Sequence, residues 1–281
     1  MRLLVFFALG VVAGAVIWRF LAPSLRQPPF LVENYRKAQL PTAAGLVLPL
    51  VLLLLAALTS LGAVAGLDDL ARPSNILVPT LCLVAGFALF GLLDDLAAAV
   101  GDRGFQDHMR ALASGRLTTG ALKLVGGGAL SIVVVAHVRD GNIAMLVIDG
   151  AVVALSANLT NLLDLAPGRT TKVSMVWAAV LAVVSGFDPV LWPIAIVMGA
   201  AAALLVPDLR ERMMLGDTGA NVLGAVLGFG TVVTAPWGVR LGVLIGLVGL
   251  TVVGDVVGFS KIIRSTPLLR YLDHVGRLKT M

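Results

Sequence analysis

Charge is what this chain of 281 residues lacks. Asp, Glu, Lys and Arg together make up only 13% of it, against about 25% in ordinary soluble domains. So few charges cannot cover the surface of a water-soluble fold of this size. Cysteine is nearly absent too: Cys82 stands alone in an apolar run, which excludes an intrachain disulfide and leaves the redox compartment unread. Internal repeats, low-complexity stretches and a separable soluble domain are also missing. What fills the chain is hydrophobic side chain, at 58%. At roughly 20 apolar residues per crossing, that is material for about nine or ten membrane spans. The composition predicts one integral membrane domain over residues 1–281, an all-α polytopic bundle.

Nine apolar runs carry that prediction: Leu3–Leu21, Ala43–Leu67, Ile76–Leu93, Thr118–Val138, Ile143–Asn158, Val173–Phe187, Val190–Val206, Val222–Ala235 and Val239–Phe259. The eighth is short and reads as a tilted or partly re-entrant span. The first has no small-residue cleavage site before Trp18-Arg19 and reads as a retained anchor.

The formal charge of +5 and pI near 9.9 do not indicate nucleic acid, because the basic residues form no single patch. They sit in short loops, as membrane topology demands. With the N-terminus outside, Arg26, Arg36, Lys37, Arg103, Arg110, Arg116, Arg169, Lys172, Arg210, Arg212 and the tail residues Lys261, Arg264, Arg270, Arg277 and Lys279 all lie inside. Only Arg2, Arg72, Arg139 and Arg240 lie outside. That asymmetry predicts an outside N-terminus and a cytoplasmic C-terminus. GxxxG pairs such as Gly10/Gly14 and Gly224/Gly228 are compatible with close helix packing, though glycine at this frequency produces several by chance.

The predicted inner face carries polar clusters as well as positive charge. The third run ends in Asp94-Asp95. The end of the fifth carries Asn158, Asn161 and Asp164, which recur every third position along one side of a helix. The eighth is preceded by Leu215-Gly216-Asp217-Thr218-Gly219. Each has an ordinary reading: a solvated loop start, interhelical hydrogen-bonding glue, and a common turn. Three such clusters on one face are harder to dismiss, because unpaired polar groups in a membrane are costly. Carboxylate and amide oxygens suit Mg²⁺, which also binds substrate phosphates. Lys123, Arg169 and Lys172 are placed to offset a diphosphate's charge, and the glycines beside Asp217 would admit a phosphate close to the backbone.

These residues resemble the polyprenyl-phosphate sugar-1-phosphate transferases, the superfamily of N-acetylhexosamine-1-phosphate transferases that includes the enzyme making the first lipid intermediate of peptidoglycan. The likeness runs in order along most of the chain. Asn34 to Gly45, with Pro41-Thr42 before small residues, resembles the family's first cytoplasmic loop. Gly91-Leu-Leu-Asp94-Asp95 resembles its paired-aspartate motif, Asn158 to Asp164 its Asn-rich helix end, and Leu215 to Gly219 its metal-binding loop. The sequence departs from the family at Pro167, where a second aspartate is usual. It also has only His274 where the peptidoglycan enzyme carries three histidines, and it is shorter, by a final span.

The resemblance implies a transferase in the plasma membrane, its site facing the cytoplasm. It would move a sugar 1-phosphate from a UDP-sugar to a polyprenyl phosphate, releasing UMP, with Mg²⁺ (Mn²⁺ as the alternative) as cofactor. It implies Asp217 and Asn161 as metal ligands, Asp94 and Asp95 orienting or deprotonating the lipid phosphate, and Asn158, Asp164, Lys123 and Arg169 binding substrate. A phosphate with a second pKa near about 6 needs no strong base at neutral pH, and an aspartyl-phosphate route stays open. The partners implied are UDP-sugar, polyprenyl phosphate and membrane lipid, with self-association left open and nucleic acid excluded. The rival reading is a non-catalytic homologue serving as scaffold or lipid-binding partner. A secondary transporter ranks lower, because its ionisable groups would lie at mid-bilayer. Of the remaining residues, His137 reads as structural, His108 as part of an interfacial helix, Asp149 as a buried hydrogen-bonding group and Asp255 as support to the site.

Overall fold

The computed structural model describes residues 2–64, 75–97 and 119–278. Among these, nine long helices occupy the nine expected runs: α1 (Arg2–Leu25), α2 (Val47–Val64), α3 (Leu77–Ala97), α4 (Thr119–Val138), α5 (Ile143–Leu163), α6 (Arg169–Val184), α7 (Trp192–Leu209), α8 (Gly216–Thr234) and α9 (Trp237–Val256). Two short helices follow, α10 (Phe259–Ser265) and α11 (Pro267–His274), and strands β1 (Leu31–Glu33) and β2 (Gln39–Pro41) form a hairpin between α1 and α2 in sequence. The chain is an all-α polytopic membrane protein. Among the described residues, seven segments are long and apolar enough to cross a bilayer, and α6 and α8 are not among them. Helices dominate because a backbone in hydrocarbon must satisfy its own hydrogen bonds. His108, with the interfacial helix expected around it, and the basic residues Arg72, Arg103, Arg110, Arg116 and Lys279 lie outside the described residues.

Helix α8 is the centre of the bundle. It packs against α3, α5 and α6, and almost every residue from Gly216 to Val232 is buried. A helix surrounded by protein does not need lipid-facing Leu and Ile, so the eighth run is glycine-rich and its apolar stretch reads short. Helix α9 shows the reverse. Its Ile245, Val248 and Val252 are exposed, the expected state of a surface that meets lipid chains. Two of the GxxxG pairs do mark close contact. A Cβ at Gly10 would collide with the Ile196 backbone of α7, and one at Gly224 with the Ser156 carbonyl of α5.

At the polar clusters, helices extend beyond the expected runs. Helix α3 continues to Ala97, so Asp94 and Asp95 lie in its last turns. Helix α5 continues to Leu163 and includes Asn161. Helix α8 begins at Gly216, so the Gly-Asp-Thr-Gly segment is the first turn of a helix and not a loop before one. The hairpin was not expected. It pairs Leu31 with Pro41 and Glu33 with Gln39, and its turn is closed by the Asn34 side chain, which accepts from the Arg36 and Ala38 amides at 2.9 and 3.0 Å.

Away from the polar clusters, Asp149 of α5 is buried, as expected, and its partner is Arg240 of α9. Arg240, placed among the outer-loop cations by the sequence, is itself buried and lies over the Trp237 ring. An unpaired charge at such depth would be costly, so each group accounts for the other.

Candidate active site

The clusters meet at one end of the bundle. Lys123 Nζ of α4 donates to Asp217 Oδ2 of α8 at 2.7 Å and to Asp94 Oδ2 of α3 at 3.5 Å. Asn161 of α5, with its amide oriented to satisfy both neighbours, donates to Asp217 Oδ1 at 2.8 Å and accepts from Lys123 Nζ at 2.7 Å. Three helices thus aim three oxygen-bearing groups at a cation carried by a fourth.

Asp95 does something different. Its Oδ1 accepts from the Asp217 amide at 2.9 Å, and its Oδ2 accepts from the Thr218 amide at 3.1 Å and the Thr218 hydroxyl at 2.6 Å. The first amides of a helix have no partner within it, and a carboxylate there satisfies them and opposes the positive end of the helix dipole. This is why α8 starts where it does. Gly216, at φ +75°, makes the turn that admits Asp95, and a Cβ there would crowd its Oδ2 at 2.5 Å.

The first loop supplies the other wall. Met214 N donates to Pro41 O at 2.8 Å and Gly45 N to Leu215 O at 3.0 Å, so residues 41–45 run alongside 214–215. Gly45 lies against the Gly219 backbone, and Gly91 against Asp217 and Thr218. Gly91→Ala is expected to push Asp217 from its place, costing roughly 1–3 kcal/mol of stability as overpacking does and lowering any activity of the site. A melting temperature equal to that of the parent protein would contradict this.

Two cavities flank the cluster. One, of about 290 Å³, includes Glu33, Asp95, Asp164, Asp208, Glu211 and Asp217 in its lining. The other, of about 520 Å³, is lined by Asp94, Lys123, Asn158, Asn161 and Asp255 together with apolar residues such as Leu124 and Leu162. The Asn158-Asn161-Asp164 series therefore straddles the seam: the two amides face the partly apolar cavity, the carboxylate the acidic one. Burial, with Asp208 and Asp217 near it, holds the Asp164 carboxyl well above the ordinary carboxylate range.

The basic residues divide sharply. Lys123 reaches the cluster, whereas Arg169 is buried and grips Asp273 in two parallel bonds, Nε to Oδ1 at 2.9 Å and Nη2 to Oδ2 at 3.1 Å. Lys172 donates to the carbonyls of Leu272, Asp273 and Val275 at 2.8–3.0 Å. Two of the three cations expected to meet phosphate instead tie down the tail. Burial alone would raise the Asp273 pKa, but Arg169 and Arg277 hold it below the ordinary carboxylate range. The tail contact is therefore charged at neutral pH, and its stabilisation is lost only as pH falls below about 4. His274 and His137 are exposed.

Asp208 was not foreseen. It lies in the last turn of α7, is buried, and accepts from the Gly168 amide at 2.8 Å. The signal was available, since Asp208 ends an apolar run at the same face as Asp94. Asn221, one turn beyond Asp217 on α8, is fully buried with neither amide atom partnered, beside a cavity of about 40 Å³ shared with Asn158 and Lys123.

No protein-family model matches the chain. Among curated proteins it is similar to the phospho-N-acetylmuramoyl-pentapeptide-transferase of Moorella thermoacetica, 27% identical over 176 residues that cover 59% of this chain and 55% of that protein. That similarity agrees with the resemblance to the polyprenyl-phosphate sugar-1-phosphate transferases carried by the sequence motifs. The chain spans about half the length of the curated relative it matches. The oxygen set around Lys123 has the right chemistry for Mg²⁺, the cation that the resemblance implies. Mg²⁺ takes hard oxygen donors, needs only one or two carboxylates and keeps several waters. Asp217, Asn161 and Asp94 already converge on a positive charge, so the residues present fit the metal. Lys123 is the group that would have to give way.

Proposed function

We propose that the protein transfers a sugar 1-phosphate from a UDP-sugar to a polyprenyl phosphate at the cytoplasmic face of the plasma membrane. The observation that carries this reading is the meeting of Asp217, Asn161, Asp94 and Lys123 at the seam between an acidic cleft and a partly apolar cavity. A hydrophilic donor and a lipid acceptor need such an arrangement, each entering from its own side. Asp217 and Asn161 would hold Mg²⁺, which supplies charge neutralisation on the donor diphosphate.

In this reading a phosphate oxygen of the acceptor attacks the β-phosphorus of the donor. The bond from β-phosphorus to the bridging oxygen breaks, and that oxygen leaves with UMP. Lys123, moving from Asp217 to the phosphates, offsets charge that builds up on them. Asp94 faces the cavity on the acceptor's side and orients the lipid phosphate, which is largely dianionic at neutral pH and needs little help from a base. Asp95, with both oxygens committed to the start of α8, acts as a positioning residue. Asn158 and Asp164 meet substrate on the two sides of the seam, and Asp255 lines the acceptor's side. Arg169 acts indirectly, through the tail it holds.

Specificity follows from the departures. Pro167 lines the acidic cleft, and this residue and the lone His274 are expected to alter which sugar is accepted before they alter phosphoryl chemistry. A UDP-sugar smaller than the muramoyl-pentapeptide donor is the expected substrate. Side-by-side assays of purified protein with UDP-GlcNAc, other UDP-sugars and UDP-MurNAc-pentapeptide, with undecaprenyl phosphate and with or without Mg²⁺, decide the matter. Preference for the pentapeptide donor overturns the specificity reading, and inactivity with every donor transfers the weight to a scaffold role.

A further inference from the structure

The acidic cleft poses a problem for the donor it is proposed to take. Six carboxylate side chains line it and, among the described residues, no Lys or Arg does. Lys123 lies at its inner seam, bound to Asp217. An anionic nucleotide entering from the mouth meets repulsion unless a cation stands at the rim.

The tail places one there. Arg277 Nε donates to the carbonyl of Pro167, which lines the cleft, at 2.9 Å. Tyr35, another lining residue, is within electrostatic reach of it. Arg277 is brought to this position by Asp273, to which its Nη2 donates. Asp273 is in turn fixed to the bundle by Arg169, whose guanidinium also donates to Ser260 Oγ at 3.0 Å. Lys172 caps the last carbonyls of α11 and closes the clamp. The charges do not cancel. One carboxylate serves two guanidinium groups, and Arg169 already occupies both of its oxygens with parallel bonds, the geometry that neutralises a carboxylate most fully. With Asp208, which accepts from the Gly168 amide and lies near Arg277 and Lys172, counted beside Asp273, two carboxylates face the three cations Arg169, Lys172 and Arg277. Arg277 is thus an oriented cation at the rim of a cleft whose other rim cation, Arg36, is paired with the lining residues Glu211 and Tyr35.

We propose that Arg277, positioned by Asp273, is the residue that recognises the anionic part of the nucleotide donor, so that the docked tail sets donor affinity. The proposal rests on the UDP-sugar reading above and deepens it. Arg suits the task because its planar fork binds phosphate or carboxylate with two parallel bonds. Arg169 holds the tail and touches no substrate.

UMP, the expected leaving product, is the probe. Binding of UMP to the full-length protein in detergent is measured by titration calorimetry for the parent and for Arg277→Ala, Arg277→Lys, Asp273→Asn and Lys261→Ala. Accessibility of the tail to trypsin is followed in parallel. Arg277→Ala is expected to weaken UMP by about tenfold or more, the usual worth of a charge-assisted bond, and to raise KM for the donor with kcat changed little. Arg277→Lys recovers part of the affinity. Asp273→Asn weakens UMP and exposes the tail to trypsin together, and Lys261→Ala, on an exposed tail cation, changes neither. UMP affinity retained in Arg277→Ala overturns the proposal alone, and so does affinity retained in Asp273→Asn once its tail is loose. Loss of kcat without change in KM or UMP affinity also overturns it. A parent protein that binds no UMP overturns both this proposal and the donor reading, whereas UMP binding without transfer overturns only the reaction.

Discussion

Asp217→Asn is expected to abolish transfer while the protein stays folded in the membrane. The amide keeps the shape of the carboxylate and its place in the first turn of α8, and the turn itself is held by Asp95 through the backbone amides of residues 217 and 218. What is lost is charge at the point where Lys123, Asp94 and Asn161 converge. A site with so few anionic ligands has little redundancy, and changing even an outer-shell partner of a metal typically costs 10–100-fold. The loss on changing Asp217 should exceed about 100-fold, with the melting temperature within a few degrees of the parent. Turnover preserved in saturating Mg²⁺ would falsify the assignment of Asp217 to the metal.

Asp95→Ala should produce the opposite pattern: protein lost before chemistry. Three hydrogen bonds at the start of the central helix end on this carboxylate. Removing a capping side chain costs about 0.5–2 kcal/mol. A charged cap opposing the helix dipole in a partly buried setting belongs at the upper end of that range. A loss near 2 kcal/mol lowers the melting temperature by roughly 4–8 °C for a chain of this size. Activity falls with it, because Asp217 is the second residue of the turn that frays. Asp94→Asn is the contrast. It meets the side chains of Lys123 and Asp217, whereas Asp95 holds backbone amides, so it should lower turnover and change the melting temperature less than Asp95→Ala does. Equal stability losses in the two variants would show that the paired aspartates are not divided between capping and contact. The adjacency of Asp94 and Asp95 invites a single role, but residues one apart on a helix point about 100° from each other.

What the chain by itself determined is its class and the contents of its site. Scarce charge and long apolar runs require a membrane bundle, since no other arrangement buries that much hydrocarbon. The polar clusters were legible because acids and amides at the ends of apolar runs stand out against a hydrophobic background. Asp94, Asn161, Asp217 and Lys123 all meet where the clusters were expected to meet. The tertiary structure decided what each residue is for. Asp95 became a helix cap because α3 passes the N-terminus of α8, a contact between residues 122 apart that no local pattern encodes. The short eighth run became the buried centre, because burial by protein removes the demand for lipid-facing side chains. Arg169 and Lys172 looked like phosphate ligands in a basic loop, yet the tail brings Asp273 and three carbonyls to them from about a hundred residues away. Local spacing can place a charge on a face of a helix; only the packing of distant segments decides whether that charge is already spoken for.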